Sequence, residues 1–330
     1  MNEPKKILVI QLRRIGDVLL TTPAVAALKN RFPSSRIDFL VEPPCDEVLA
    51  GNPHLRQVLV YKPSGIREAL EWLYTIRKER YDWVVDFLGN PRSAIITALS
   101  GAFVKAGPAH VSHRWAYDHP LTQSSKTQYA GLEKIRVLAA LGVSASADFL
   151  PKLYLEAPRK AENLIAFAPA SRRITRQWPA DSYARLGRML MERTDCAILV
   201  LWGPGERPLA ERIAASIGGR ASVVKETKDL QGLAREIARC RLVVTNCNGP
   251  KHFAVALGVP TVTIHGSSDP ISWNPPHPDH LVARLDELFC IGCGLNRCPY
   301  KLECMTELSP EKVMEKAMSL LSRSSQGVGS

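Results

Sequence analysis

Residues 11–23, QLRRIGDVLLTTP, place two arginines, a glycine and an aspartate between an apolar run, ILVIQL, and an apolar-periodic stretch, VLLTTPAVAALKNRF. Gly16 permits a tight turn, and Asp17 falls in the first turn of the helix that follows. An aspartate there either caps the helix and complements its dipole, or acts as a general base during group transfer, with Arg13 and Arg14 attracting an anionic substrate. PASRRITRQWP (169–179) gathers Ser171, Arg172, Arg173 and Arg176 between a strand and a helix. Guanidinium forks match phosphate oxygens, so this is a diphosphate site or else a solvated basic loop. TNCNGPKHFAVALG (245–258) opens a helix at Gly249 and Pro250. Its unpaired N–H groups suit an anion, and Lys251 and His252 add donors. In WGPGE (202–206), Glu206 either accepts from ribose hydroxyls or merely favours a helix N-terminus. Cys290, Cys293, Cys298 and Cys304 set four sulfurs within fifteen residues. They are ligands for zinc or an iron–sulfur cluster, or free thiols in a compact loop.

Hydropathy period supplies the elements that hold these loops. ILVIQL (7–12) reads as a strand, 18–31 as a helix, RIDFLVE (36–42) and VLVY (58–61) as strands, REALEWLYTIRKER (67–80) as a helix, YDWVVDFLG (81–89) as a strand and SAIITALSG (93–101) as a helix. Residues 107–128 read as a loop and 127–142 as a helix closed by Gly142. The rhythm breaks over 144–162 and then restarts. Strands are expected at 164–170, 196–203, 241–246 and 260–266, and helices at 179–193, 206–218, 230–240, 249–258 and 310–323, with Asp181 a cap for the first of these helices. The alternation predicts an α/β protein with two doubly wound, Rossmann-like domains, 1–150 and 160–308, a C-terminal helix at 309–323 and a frayed tail at 324–330. Two such domains would face a cleft, with ligands beyond the carboxyl ends of the strands.

The chain has 330 residues and a formal net charge of +11. That balance favours an acidic partner: nucleic acid, anionic lipid or a phosphorylated substrate. No nucleic-acid module is recognisable, which ranks that partner last. No apolar run approaches the span of a bilayer and the N-terminus lacks a signal-peptide pattern, so a cytoplasmic location is expected. There is no GxxxxGK[ST] loop, no GxGxxG after the first strand, and no HExxH, GxSxG or Asp-x-Asp pair. Kinase and dehydrogenase readings lose ground accordingly.

Taken together and in order, ILVIQLRRIGDVLLTTPAVAALKNRFP, DFLGNPRSAIITALSGA, RQWP, WGPGE, NGPKHFAVALGVPTVTIHGSSDP and CIGCGLNRCPYKLECMTELSPEKV resemble glycosyltransferase family 9, the lipopolysaccharide heptosyltransferases. The resemblance implies a GT-B architecture and an inverting transfer of heptose from an ADP-sugar to the lipopolysaccharide inner core, with no cofactor required for catalysis. It implies Asp17 as base. It assigns Arg13, Arg14, Asn90 and Arg92 to an anionic, lipid-linked saccharide acceptor, and Ser171, Arg172, Arg176, Glu206, Asn248, Gly249, Pro250, Lys251 and His252 to the donor. Cys247 stands where the family usually has aspartate, which leaves a different donor sugar, or a non-catalytic homologue, as alternatives. Such a protein would touch the inner face of the membrane peripherally. Helix 67–80 is a candidate for that contact, or an ordinary packed helix.

Overall fold

The computed structural model describes residues 3–144, 148–157 and 159–326. The chain divides into two compact units, Met1–Glu156 and Ala157–Ser330. Each is built on one six-stranded sheet in which every strand pairing is parallel.

In the first unit the strands are β1 (Lys6–Ile10), β2 (Arg36–Val41), β3 (Gln57–Val60), β4 (Trp83–Asp86), β5 (Val104–Pro108) and β6 (His119–Leu121), in the order β3-β2-β1-β4-β5-β6. The connecting helices are α1 (Ile15–Leu19), α2 (Thr22–Arg31), α3 (Ile66–Glu79), α4 (Pro91–Leu99) and α5 (Ala130–Arg136). In the second unit β7 (Leu164–Ala168), β8 (Ala197–Val200), β9 (Ala221–Val223), β10 (Leu242–Asn246), β11 (Thr261–Ile264) and β12 (His280–Ala283) run β12-β11-β10-β7-β8-β9. Its helices are α6 (Ala180–Arg193), α7 (Arg207–Ile217), α8 (Leu230–Ala238), α9 (Gly249–Ala256), α10 (Pro270–Trp273), α11 (Glu303–Thr306) and α12 (Pro310–Gln326). Counted from its own first strand, the second sheet repeats the order of the first. Central strands are apolar on both faces, as a sheet covered on both sides requires: Ile7, Leu8, Val9 and Ile10 are all buried, as are Leu242, Val243 and Val244.

Several expectations need correction. The helix expected over 18–31 is two helices, because Pro23 starts a new one rather than continuing the first. Residues 107–128 are not all loop: they hold the end of β5 and the whole of β6, where Ala106 pairs with His119. A three-residue edge strand reading HPL carries no period for hydropathy to detect. The short edge strands β9 and β12 escaped for a similar reason. Helix 127–142 is a short α-helix that tightens into a 3-10 turn over Val137–Leu141; Gly142 does close it, at φ +74°. Asp181 lies in the first turn of α6, whose N-cap is Pro179. The C-terminal helix runs on to Gln326, and the tail expected beyond it lies outside the described residues. Among the described residues no helix is long and apolar enough to cross a membrane.

Candidate functional site

In each sheet the strand order reverses between the first and fourth strands of the unit, and ligands on doubly wound sheets lie beyond the carboxyl ends of the strands at such a point. In the first unit that point is flanked by the loops after β1 and β4. Asp17 is the third residue of α1 and half-buried. Its Oδ2 accepts a long hydrogen bond, 3.4 Å, from the Arg14 backbone N–H. Its Oδ1 accepts none among the described residues. The capping and base readings are therefore compatible, since one oxygen is weakly engaged and the other is available. Arg13 and Arg14 are both exposed. Asp86, at the end of β4, is buried. Its Oδ1 accepts from the Leu88 and Gly89 N–H groups at 2.8 and 3.1 Å, and its Oδ2 from the Tyr117 hydroxyl at 2.8 Å. Burial nevertheless pushes its carboxyl above the usual range. Gly89 makes this turn at φ +66°, where a Cβ would meet Pro108 Cγ at 2.9 Å.

Two residues of the acceptor assignment are engaged within the first unit. Asn90 is the N-cap of α4: its Oδ1 accepts from Ser93 N–H at 2.8 Å. Arg92 forms an ion pair with Glu42. Both side chains already serve the first unit itself.

One residue was not anticipated. Lys134 of α5 donates from Nζ to Gln11 Oε1 at 2.7 Å, and Gln11 Nε2 donates to the Arg13 carbonyl at 2.7 Å. The ammonium also lies 5.0 Å from the Phe87 ring centroid. Burial pulls Lys134 down to about 8, against the upward pull of Asp17 and Asp86. The sequence held a signal: Gly131, Ile135 and Leu138 are buried, and a lysine three or four residues from Gly131 and Leu138 falls on that apolar face.

In the second unit the corresponding loops follow β7 and β10. Asn246 and Asn248 tie them together. Asn246 Nδ2 donates to the Pro169 carbonyl at 2.6 Å, and its Oδ1 accepts from Trp178 N–H at 3.2 Å. Asn248 Nδ2 donates to the Ala168 and Ala170 carbonyls at 3.2 and 2.8 Å, while its Oδ1 accepts from Thr245 Oγ1 and from Lys251 N–H. An amide side chain has two N–H donors and one acceptor oxygen. All are engaged, so the Asn248 side chain clamps the two loops together. Trp178 is buried, packs edge-on to Tyr183, and donates from Nε1 to the Leu308 carbonyl at 3.0 Å.

The clamp presents a group of cations and imidazoles. Arg176 Nε and His252 Nδ1 are buried without a hydrogen-bond partner. Burial holds the Arg176 guanidinium below its ordinary value, with Arg173 adding to the effect and the Cys247 thiol opposing it. Burial also drives His252 well below the usual imidazole range, so it is neutral at pH 7. Arg172 is exposed and Ser171 half-buried, its Oγ accepting from Arg173 N–H at 3.3 Å. Gly249 and Pro250 form the first turn of α9, with open space where a Gly249 Cβ would stand. Lys251 differs from expectation: it is fully buried, its ammonium bonded to the Trp273 carbonyl, so it acts on the site as an interior charge rather than as a surface contact. Glu206 caps the turn before α7, with Oε2 accepting from Gly203 N–H at 2.9 Å.

Cys290, Cys293 and Cys298 all lie within electrostatic reach of the Cys304 thiol, but the four are not arranged as a ligand set. Cys304 is buried, its Sγ 2.9 Å from where a Gly266 Cβ would be, whereas Cys293 is exposed. Among the described residues no three His, Cys, Asp or Glu side chains are placed to hold a metal ion. Their segment instead braces the loop after β7: Thr175 Oγ1 donates to the Leu295 carbonyl at 2.9 Å, and Gly294 N–H to that of Ser267 at 2.6 Å.

Solved structures share the fold. A family 9 glycosyl transferase from Veillonella parvula superposes with a TM-score of 0.81 at 24% identity, covering 97% of each chain. Escherichia coli heptosyltransferase WaaC with ADP gives 0.79 at 22%, covering 96% of this chain and 99% of that one. The fold is that of the GT-B glycosyltransferases. The profile of glycosyltransferase family 9 (heptosyltransferase) matches residues 72–301, more than half of the chain, and the protein belongs to that family. Among related proteins, lipopolysaccharide heptosyltransferase 1 of E. coli K12 is 26% identical over 351 residues, covering 96% of this chain and all of that protein. Lipopolysaccharide heptosyltransferase 3 of the same strain is 25% identical over 299 residues, covering 80% and 83%.

Proposed function

We propose that this glycosyltransferase moves heptose from ADP-heptose to an anionic, lipid-linked saccharide of the lipopolysaccharide inner core, working peripherally at the cytoplasmic face of the inner membrane. The first unit would take the acceptor and the second the donor. The observation that carries the reading is the buried, unpartnered Arg176 Nε and His252 Nδ1 beside the first turn of α9. A buried N–H without an acceptor is costly, and a diphosphate would satisfy Arg176 Nε–H and, in its Nδ1–H tautomer, His252. Asp17 would remove the acceptor proton as its oxygen attacks the anomeric carbon with inversion, and ADP would leave against Arg172, Arg176 and the α9 N-terminus. Such preorganised groups are each worth about 10²–10³ in rate.

Calorimetry with ADP, UDP, GDP and CDP tests the donor assignment. Selective ADP binding is expected, weakened about ten- to a hundredfold in Arg176→Ala, as for loss of a charge-assisted contact. Asp17→Asn should keep ADP binding and lose about 10²–10⁴ in transfer rate. A second reading rests on Cys247, which stands buried within electrostatic reach of Arg176 and Lys251 where the family resemblance expects a carboxylate. It is the same transfer with another donor sugar. Preference for a different nucleotide, or ADP binding without turnover of ADP-heptose, would favour it.

A further inference from the structure

Among the described residues, the outward face of α3 is left uncovered by its unit. Ile66, Leu70 and Tyr74 follow one another at four-residue spacing and are 83, 59 and 69% exposed. Four-residue steps keep side chains on one side of a helix. The inward side is already provided for, since Trp72, Leu73 and Ile76 pack into the core of the first unit. The helix is therefore apolar on two sides, and the outer one is in excess of what folding needs.

Cations border this stripe. Arg67 is three residues from Leu70 along the helix and pairs with Glu71 at 3.1 Å, Lys78 is four residues and Arg77 three from Tyr74, and all three cations are exposed. Arg77 donates to the Leu99 carbonyl at 3.3 Å, which sets the half-exposed Leu99 beside the stripe. Where α3 ends, a groove of about 950 Å³ continues the surface, lined by Tyr74, Arg77, Lys78 and Arg80 together with Lys5 and Lys6. Of its two acids, Glu79 is neutralised by Lys6 and Arg56, and Asp82 Oδ2 is engaged by the Lys5 and Lys6 backbone N–H groups. Phe103, 84% exposed, is tied to the same edge through its N–H to the Asp82 carbonyl at 3.0 Å.

We infer that the outward face of α3, with the basic groove at its C-terminal end, docks the protein on an anionic lipid bilayer. An apolar stripe bordered by arginine and lysine is the pattern of a helix lying in the membrane interface, its aliphatic side chains among the acyl chains and its cations at the headgroups. Self-association would place Arg67, Arg77 and Lys78 of two copies against each other, and such like-charge juxtaposition is unfavourable. Nucleic acid would use the cations and leave Ile66 and Leu70 unserved. The inference deepens the peripheral-membrane part of the proposed function and rests on that reading.

The test is sedimentation of the full chain with phosphatidylcholine vesicles, with and without phosphatidylglycerol. The protein should bind the anionic vesicles, and binding should weaken as salt is raised. Ile66→Ser/Leu70→Ser/Tyr74→Ser and, separately, Lys5→Glu/Lys78→Glu should each weaken binding by about tenfold or more. All substituted positions are exposed, so thermal midpoints should stay within a degree or two of wild type, and circular dichroism confirms that both variants fold. No binding by the wild type overturns both the docking face and the peripheral reading. Binding that neither variant weakens overturns the face alone. If the serine variant changes the sedimentation coefficient of the free protein and not vesicle binding, the face is a self-association surface and the inference fails. If duplex DNA binds in a way that the charge variant abolishes and the serine variant does not, while vesicles do not bind, the groove is a nucleic-acid site and the inference fails too.

Discussion

Lys134 is the residue whose chemistry the structure changes most. Its ammonium holds Gln11, Gln11 holds the Arg13 carbonyl, and Arg13 precedes the turn that delivers Asp17. Burial lowers it from 10.5 to about 8, and the carboxylates of Asp17 and Asp86 act in the other direction. Two opposite pH effects follow. The unfolded chain holds this proton up to about 10.5 and the folded one only to about 8, so the contribution of Lys134 to stability rises as pH climbs through that window. The charge that steadies the Asp17 loop is lost over the same interval, so transfer should fall as pH rises through about 8. Dimethyl-lysine NMR should show one lysine titrating near 8, and Asp17→Asn should move it lower, because a supporting negative charge is gone. Lys134→Met should remove the alkaline limb of the rate profile and Lys134→Arg should move it beyond reach; an unchanged limb in Lys134→Met would disprove the link. At this scale the sequence was a partial guide. Asp17 and Arg176 were visible because their loops follow apolar runs and precede helices. Asn248 and Lys251 were also visible, but their tasks were not, because hydrogen-bond partners as distant as Ala168 and Trp273 leave no local trace.

At the scale of elements, the proposed donor site depends on how tightly α9 and the loop after β7 are held. Trp178 does this from inside: it fills the core next to Tyr183 and ties Leu308 through its indole N–H. Trp178→Phe keeps most of the packing and deletes one hydrogen bond, and the Leu308 carbonyl is left seeking a donor. Chemical denaturation should show a loss of about 1–3 kcal/mol, and ADP binding should weaken even though the indole touches no ligand. Asn248→Ala removes the α9 cap and both carbonyl tethers, with an expected cost of about 1–2 kcal/mol. Asn248→Asp keeps the cap acceptor but loses the tethers and adds charge near the diphosphate, so it should weaken ADP more than it destabilises the fold. Equal ADP affinity in all three proteins would show that the clamp plays no part in the donor site. The main helices and central strands were legible because their apolar periods are long and uninterrupted. The edge strands β6, β9 and β12 were not, being three or four residues of mixed polarity whose conformation is imposed by the neighbouring strand.

At the scale of the molecule, two sheets with the same strand order stand in tandem without a recognisable sequence repeat. Topology therefore survives where side chains have diverged, and each unit spends its reversal point differently. The first surrounds it with Asp17, Asp86 and Lys134. The second surrounds it with Arg176, Lys251, His252 and the α9 N-terminus. This asymmetry gives a distribution that hydrogen exchange can read along the whole chain. A ligand that binds the native state protects the segments it touches and those its binding stabilises. Saturating ADP should slow exchange in 168–177, 203–206 and 246–253, and leave the loops after β1 and β4 near their unliganded rates. Arg176→Ala should abolish that protection at the same ADP concentration. Protection centred instead on 11–17 and 86–93 would assign the nucleotide to the first unit and reverse the roles of the two units, because the arginines of the second would then have no diphosphate to meet.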